Sequence, residues 1–366
     1  MLVYIIVATI LFCFALPPRK QSRQNRIFFW LSILLILFDG LRWESGTDWD
    51  NYYQYFVNCL QGDNSHFEIG YLVFNRVIRT LTSSYTIFLL VHAFVLYLCL
   101  GLFLKKNSLA PIFSLALYFV LFVSYQGMNR QFLAVCFCLL AFNFLVEGKK
   151  SIFIILVLIG GLFHVTSFVF LLGLFFKNQY KNRTYIVIIL GAIIIGNLGF
   201  VKSVIDMGVG SLGLRVSLLL DFYSLQEQIS QSLLGVLFAY IRRLICLVPM
   251  LFYMNRNRLP QSILLAFNYY FIGFIVYILF NGTVLQVMVS RGNVYFMIFE
   301  CILIPFMMYV YQKKIPRVAL FFMIYLLSIV NMVKGIQFYD ILGHNNNPFI
   351  PYKTIYYNTD VQKNTN

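Results

Sequence analysis

The chain is short of charge: Asp, Glu, Lys and Arg together make up 11% of its 366 residues, and only 13 of them are acidic. With 60% hydrophobic residues and a mean hydropathy of +0.79, it lies far outside the range of soluble globular domains. It also lacks the short alternating segments of a transmembrane β-barrel. Its apolar runs are about 17–25 residues long, the length a helix needs to cross the hydrocarbon. The predicted fold is therefore an all-α polytopic membrane protein with about 10–12 transmembrane helices.

Cysteine and histidine are scarce as well. Cys13, Cys99, Cys136, Cys138, Cys246 and Cys301 lie in apolar runs and Cys59 stands alone in a polar segment, which excludes a disulfide framework and a thiolate metal site. The pair Asp48 and Asp50 has no further ligand nearby, so neither a metal nor a cofactor is expected. No internal repeat relates the two halves, as it would in many transporters. The first apolar run has no charged start and no small-residue cleavage site, so it is read as a span and not as a signal peptide.

What charge there is follows a pattern. The formal charge of +15 suggests nucleic acid, but the bases lie in small clusters between apolar runs, at 19–26, 105–106, 149–150, 177–183, 256–258 and 313–317. Such clusters set topology by staying on the cytoplasmic side. All six do so if the run 151–176 is broken into two short halves meeting near Gly160, Gly161 and His164. A break of this kind is tolerated where it lines a protein cavity. The chain is then a single integral membrane domain, 1–366, with a first large outer segment at 42–84, a second at 201–231 and a polar outer tail at 334–366.

Sixteen of the 28 Lys and Arg belong to those clusters; of the other twelve, eight are Arg, at 42, 76, 79, 130, 215, 242, 243 and 291. Inner loops need only positive charge, whereas Arg grips phosphate by a planar bidentate fork. Arg130 opens an outward-facing helix end, where the helix dipole favours an anion; the other reading is snorkelling to lipid headgroups. Arg242, Arg243 and Glu300 sit within apolar runs and are functional candidates, or else form a structural Arg–Glu bridge. Asp48, Asp50, Glu44, Glu68 and His164 are the outer candidates for proton transfer. His164, inside an apolar run, must find a partner, whether structural or catalytic. The aromatic run Trp43, Trp49, Tyr52, Tyr53, Tyr55 and Phe56 fits either an interfacial belt or stacking on sugar rings.

In order along the chain, Arg42-x-x-x-Gly46-Thr47-Asp48-x-x-x-Tyr52, Glu68-x-Gly70-Tyr71, Asn129-Arg130-Gln131-x-x-Ala134, Phe163-His164-x-x-Ser167, Arg291 and the closing Pro351-Tyr352-Lys353 resemble the EpsG/Wzy-like family of bacterial O-antigen and exopolysaccharide polymerases. The resemblance implies a GT-C-like, metal-independent glycosyltransferase in the bacterial inner (cytoplasmic) membrane. Its substrate would be an undecaprenyl-diphosphate-linked oligosaccharide, with membrane lipids and a chain-length regulator protein as partners. Within it, Arg42, Arg130, Arg215 and Arg291 would contact the diphosphate. Asp48 or His164 would take the acceptor proton, with Glu68 beside them, and Trp49, Tyr52 and Tyr71 would shape the sugar site. The rivals are a lipid-linked glycan flippase or transporter, an O-antigen ligase and a membrane O-acyltransferase.

Overall fold

The computed structural model describes residues 1–15, 20–61, 67–176, 178–197, 233–280, 292–311, 316–341 and 347–356. Among these the chain is helical, and the only extended pairing is an isolated antiparallel bridge between Arg42 and Thr354. Tyr85–Asn107, Asn129–Val146, Gln261–Phe280, Val294–Tyr311 and Arg317–Phe338 are long and apolar enough to cross a membrane, and Leu2–Ala15, Pro111–Tyr125, Lys150–Gly161, Val165–Leu174 and Asn182–Gly196 are shorter apolar helices. The all-α, multi-pass architecture read from composition is the observed one. The chain divides into two compact units, Met1–Leu171 with Met308–Asn366, and Leu172–Met307.

In the first unit, α1 is Leu2–Ala15, α2 Gln21–Gly40, α3 Trp49–Asn58, α4 Ile69–Leu81, α5 Tyr85–Asn107, α6 Pro111–Phe122, α7 Asn129–Val146 and α8 Lys150–Gly161. Local chemistry sets several of these ends. The Ser84 hydroxyl accepts from the Ile87 amide at 3.4 Å to open α5, and Lys105 and Lys106 sit in its last turn, where cations suit the dipole. Pro111 stands in the first turn of α6, where its missing N–H costs little. At the far ends of α5 and α7, Glu147 pairs with Lys106 and, at 2.7 Å, with Lys149. The hydrogen bonds from Lys106 and Lys149 hold the Glu147 carboxyl down to a pKa of about 2. Two of the basic clusters read as cytoplasmic thus meet at one end of the bundle.

The segment 42–84, expected on the outer side, is no open loop, because it folds into the two amphipathic helices α3 and α4. Trp49, Tyr52, Tyr53 and Phe56 turn inward from α3, and Tyr71, Asn75 and Ile78 from α4, the spacing of one buried helical face. Trp49 stacks on Tyr53 with ring centroids 4.9 Å apart and meets Trp43 and Tyr85 edge-on. The aromatic density of the sequence therefore builds a core.

The run 151–176 is broken, the arrangement that would keep both flanking basic clusters on one side, and it is not the single long helix that the apolar run also allowed. Helix α8 ends at Gly161, and a 3₁₀ segment, Val165–Leu174, follows the turn. The Ser167 hydroxyl donates to the Val157 carbonyl at 3.4 Å and the Phe170 ring lies 6.1 Å from that of Phe153, so the second half runs back along the first. At 1.5 Å per residue α8 reaches about 18 Å, and at 2.0 Å the 3₁₀ segment reaches about 20 Å. Neither half covers the roughly 30 Å of hydrocarbon.

Residues 347–356 return to the end of α2. The Trp43 amide donates to the Lys353 carbonyl at 3.0 Å, the Gly46 amide to that of Pro348 at 2.9 Å and the Ile355 amide to that of Leu41 at 3.1 Å. Tyr352 stacks on Phe38 at 4.6 Å, its hydroxyl donates to the Phe38 carbonyl, and Lys353 pairs with Glu44 at 2.9 Å. Opposite the tail, the Thr47 amide donates to the Gln126 carbonyl at 3.2 Å.

In the second unit, helix Asn182–Asn197 packs on Gln261–Phe280, and Leu233–Met254 carries the adjacent Arg242 and Arg243. Arg242 bonds Glu300 at 3.3 Å, whereas Arg243 lies over the Tyr277 ring with its guanidinium carbon 3.6 Å from the centroid. The structural Arg–Glu bridge is thus the arrangement observed for Arg242.

Gly46 and Gly127 touch backbone to backbone at φ +113° and +102°, and a Cβ on either would come within 3.0 Å of the other's chain. Gly46→Ala and Gly127→Ala should each destabilise by about 2 kcal/mol or more, from left-handed strain plus overlap. Thermal unfolding of the purified protein in detergent checks this, with Gly148→Ala, which meets nothing within 4 Å, as the comparison for strain alone.

Candidate functional site

Arg42 follows directly on the end of α2 and is 1% exposed. One Nη pairs with the Asp39 carboxylate and donates to the Asp39 carbonyl at 2.8 Å, and the other donates to Asn129 Oδ1 at 2.9 Å. The Asn129 carbonyl bonds His92 Nε2 at 3.0 Å, and Gln126 Nε2 donates to Asp39 at 3.3 Å. These groups line a cavity of about 20 Å³, room for about one water. A buried charge of this kind is tolerable only when paired and hydrogen-bonded, which Arg42 is. Expected as a diphosphate contact, Arg42 is instead enclosed by protein and joins α2 to the start of α7.

The next residue along, Arg130, turns the other way. Its Nη1 pairs with Glu68 Oε2 at 2.6 Å, its Nε donates to the Tyr52 hydroxyl at 3.3 Å, and its guanidinium lies over the Phe67 ring at 4.4 Å. The side chains of Arg130 and Glu68 remain 22% and 23% exposed. Nη2 of Arg130 takes no hydrogen bond among the described residues. Glu68 stands at the N-cap position of α4 without a side-chain capping bond, and its second oxygen accepts the Val165 amide at 3.4 Å while the Gly70 amide donates to the Leu162 carbonyl at 2.7 Å. The α4 start is thereby docked against the break after α8, where His164 sits.

His164 is half-buried, and its orientation defines its chemistry. Nδ1 accepts the Thr166 amide at 3.3 Å and lies 2.6 Å from the Thr166 hydroxyl. A ring nitrogen that accepts carries no proton, so in the neutral imidazole the hydrogen is on Nε2. In this arrangement His164 offers a donor through Nε2.

The structure thus gathers four sequence candidates, Arg130, Glu68, Tyr52 and His164, at the end of the first unit opposite the Lys106–Glu147–Lys149 pairs. Asp48 stands half-buried at the start of α3, and Asp50 is exposed one turn into it. Trp49 and Tyr71 are buried with Tyr52 in the aromatic core, their ring faces covered by protein rings. Burial, with the nearby Tyr85 and Tyr52, pushes the Tyr71 phenol well above its ordinary pKa, so it stays protonated. Arg76 donates to the Cys59 carbonyl at 3.2 Å and Arg79 lies over the Phe56 ring, so both brace α3 against α4. Arg215, Arg291 and the second outer segment 201–231 lie outside the described residues.

Asp39, His92 and Phe67 belong to this region without having been sequence candidates. For Asp39 and His92 the signal was present, since an ionisable residue inside an apolar run is a functional or structural marker by default. Phe67 carried none.

Removing one partner of the buried pair leaves an uncompensated charge. Asp39→Ala and Arg42→Ala should each destabilise by about 3–5 kcal/mol, while the double variant Asp39→Leu, Arg42→Met should lose less than the sum of the single changes. Melting temperatures in detergent measure both.

The chain matches the model of the EpsG family over residues 25–354. No curated protein and no solved structure matches it.

Proposed function

The chain belongs to the EpsG family, and from that premise we propose that it polymerises a bacterial surface polysaccharide by glycosyl transfer between undecaprenyl-diphosphate-linked repeat units. The site would work at the outer face of the inner membrane. Family membership carries the coarser statement, a membrane protein of polysaccharide-polymerase type. The observation that carries the finer one is Arg130, half-exposed at the first turn of α7, held in one orientation by Glu68, Tyr52 and Phe67 with Nη2 left to an incoming anion.

In the proposed step, the acceptor hydroxyl forms the new C–O bond at the anomeric carbon of the donor while that carbon's bond to the phosphate oxygen breaks. The electron pair departs with undecaprenyl diphosphate, and the hydroxyl proton passes to a base. Arg130, aided by the helix start, would neutralise the charge that develops on the leaving diphosphate. His164 Nε2–H would donate a second hydrogen bond to it. Asp48 keeps the role of candidate base that the resemblance gives it. Arg215 and Arg291 keep the diphosphate role that the resemblance gives them. Arg42 acts here as a positioning residue, because it anchors Asn129 and with it the first turn of α7.

The test is the ladder of surface polysaccharide from a strain in which this gene is deleted and then restored. Deletion should collapse the ladder to a single repeat unit, and the wild-type gene should restore it. Arg130→Lys keeps the charge but loses the fork, so transfer should fall about tenfold or more, with Glu68→Gln and His164→Gln shortening the ladder as well. Loss of every repeat on deletion would point instead to a ligase or flippase, and an unchanged ladder would sink the reading.

A further inference from the structure

Among the described residues of the second unit, two connections between helices wall an open pocket of about 740 Å³. One is the stretch leading into helix Asn182–Asn197, and the other joins Leu233–Met254 to Gln261–Phe280. Side-chain bonds fasten the two together. Gln179 Nε2 donates to the carbonyls of Met254 at 3.2 Å and Asn257 at 2.8 Å, and its Oε1 accepts the Leu259 amide at 3.0 Å. Asn182 Nδ2 donates to the Leu251 carbonyl at 2.7 Å. The pocket is therefore a braced receptacle.

Its charge is one-sided. Lys181, Arg183 and Arg258 line it, and no acidic side chain does. None of the three forms an ion pair among the described residues. Two helix starts, at Asn182 and Gln261, also face it and bring first-turn amides. Topology alone requires positive charge on this side of the membrane. It does not require three cations and two helix starts around one concavity.

We infer that this pocket binds a phosphate group. Arg183 and Arg258 would fork onto its oxygens, and Lys181 would add a point charge. The surrounding surface favours a lipid headgroup as the source. Phe252, two residues before the lining Met254, is 72% exposed, and Phe175, three residues before Asn178, is 74% exposed. Exposed aromatics beside a basic pocket suit acyl chains beneath an anionic headgroup. The site is separate from the proposed outer-face chemistry and stands whether or not that reading survives.

The test uses the full chain purified from mixed vesicles of phosphatidylglycerol and phosphatidylcholine, with the co-purified lipids counted by mass spectrometry. Phosphatidylglycerol should be enriched on the wild type. The triple variant Lys181→Gln, Arg183→Gln, Arg258→Gln should lose that enrichment about tenfold or more. All three side chains are exposed, so the variant should melt as the wild type does. The matched control is Lys20→Gln, Arg23→Gln, Arg26→Gln, which removes the same charge from another basic cluster and should change the enrichment less than about twofold. Equal loss from both triples would reduce the effect to general surface charge and overturn the site. A melting temperature raised by inorganic phosphate over chloride at equal ionic strength, and lost in the pocket triple, would support the site with a soluble phosphate as the source. No response to either phosphate source would overturn it.

Discussion

The buried pair of Arg42 with Asp39 is the interaction on which the first unit depends. A guanidinium taken out of water needs partners, and here both Nη atoms find them at the end of α2 and the start of α7, while Nε has none among the described residues. His92 extends the network to α5 through the Asn129 carbonyl. Residues 348–355 then close over the same stretch with backbone bonds, the Tyr352–Phe38 stack and the Lys353–Glu44 pair. Gly46 and Gly127 let the two polar connections approach to backbone contact. Motifs far apart in the chain are thus parts of one support.

That support determines what Arg130 can do. Asn129 and Arg130 are neighbours on the first turn of α7, yet one points at Arg42 and the other at Glu68. With Asn129 fixed inside, Arg130 is left on the other side, against Glu68, Tyr52 and Phe67. Arg242 and Arg243 show the same division in the second unit, where one neighbour meets Glu300 and the other an aromatic face. In both pairs, rotation by about 100° per residue around a helix sends adjacent side chains to different surroundings.

Much of this was legible in the residues. Few charges and long apolar runs sufficed for the helical membrane fold, and the placement of Lys and Arg sufficed for the broken span at 151–176, because positive charge resists transfer across the membrane. The motif residues Glu68, Arg130 and His164 were recognisable as candidates, since polar groups among apolar neighbours need a reason. Less legible was the segment 42–84, whose rings suited a sugar surface as well as a core. Helical spacing alone separates the two only after both α3 and α4 are in place.

Composition and patterning determined the membrane class and the set of polar residues that had to find partners. These follow from transfer free energies, which act on each residue by itself. The tertiary structure decided which partner each residue found: Arg42 inward on Asp39, Arg130 outward on Glu68, His164 with Nδ1 occupied by Thr166, and Trp49 and Tyr71 packed in the core. Those outcomes depend on distances of a few ångströms between segments separated by tens to hundreds of residues, and no local pattern encodes such distances.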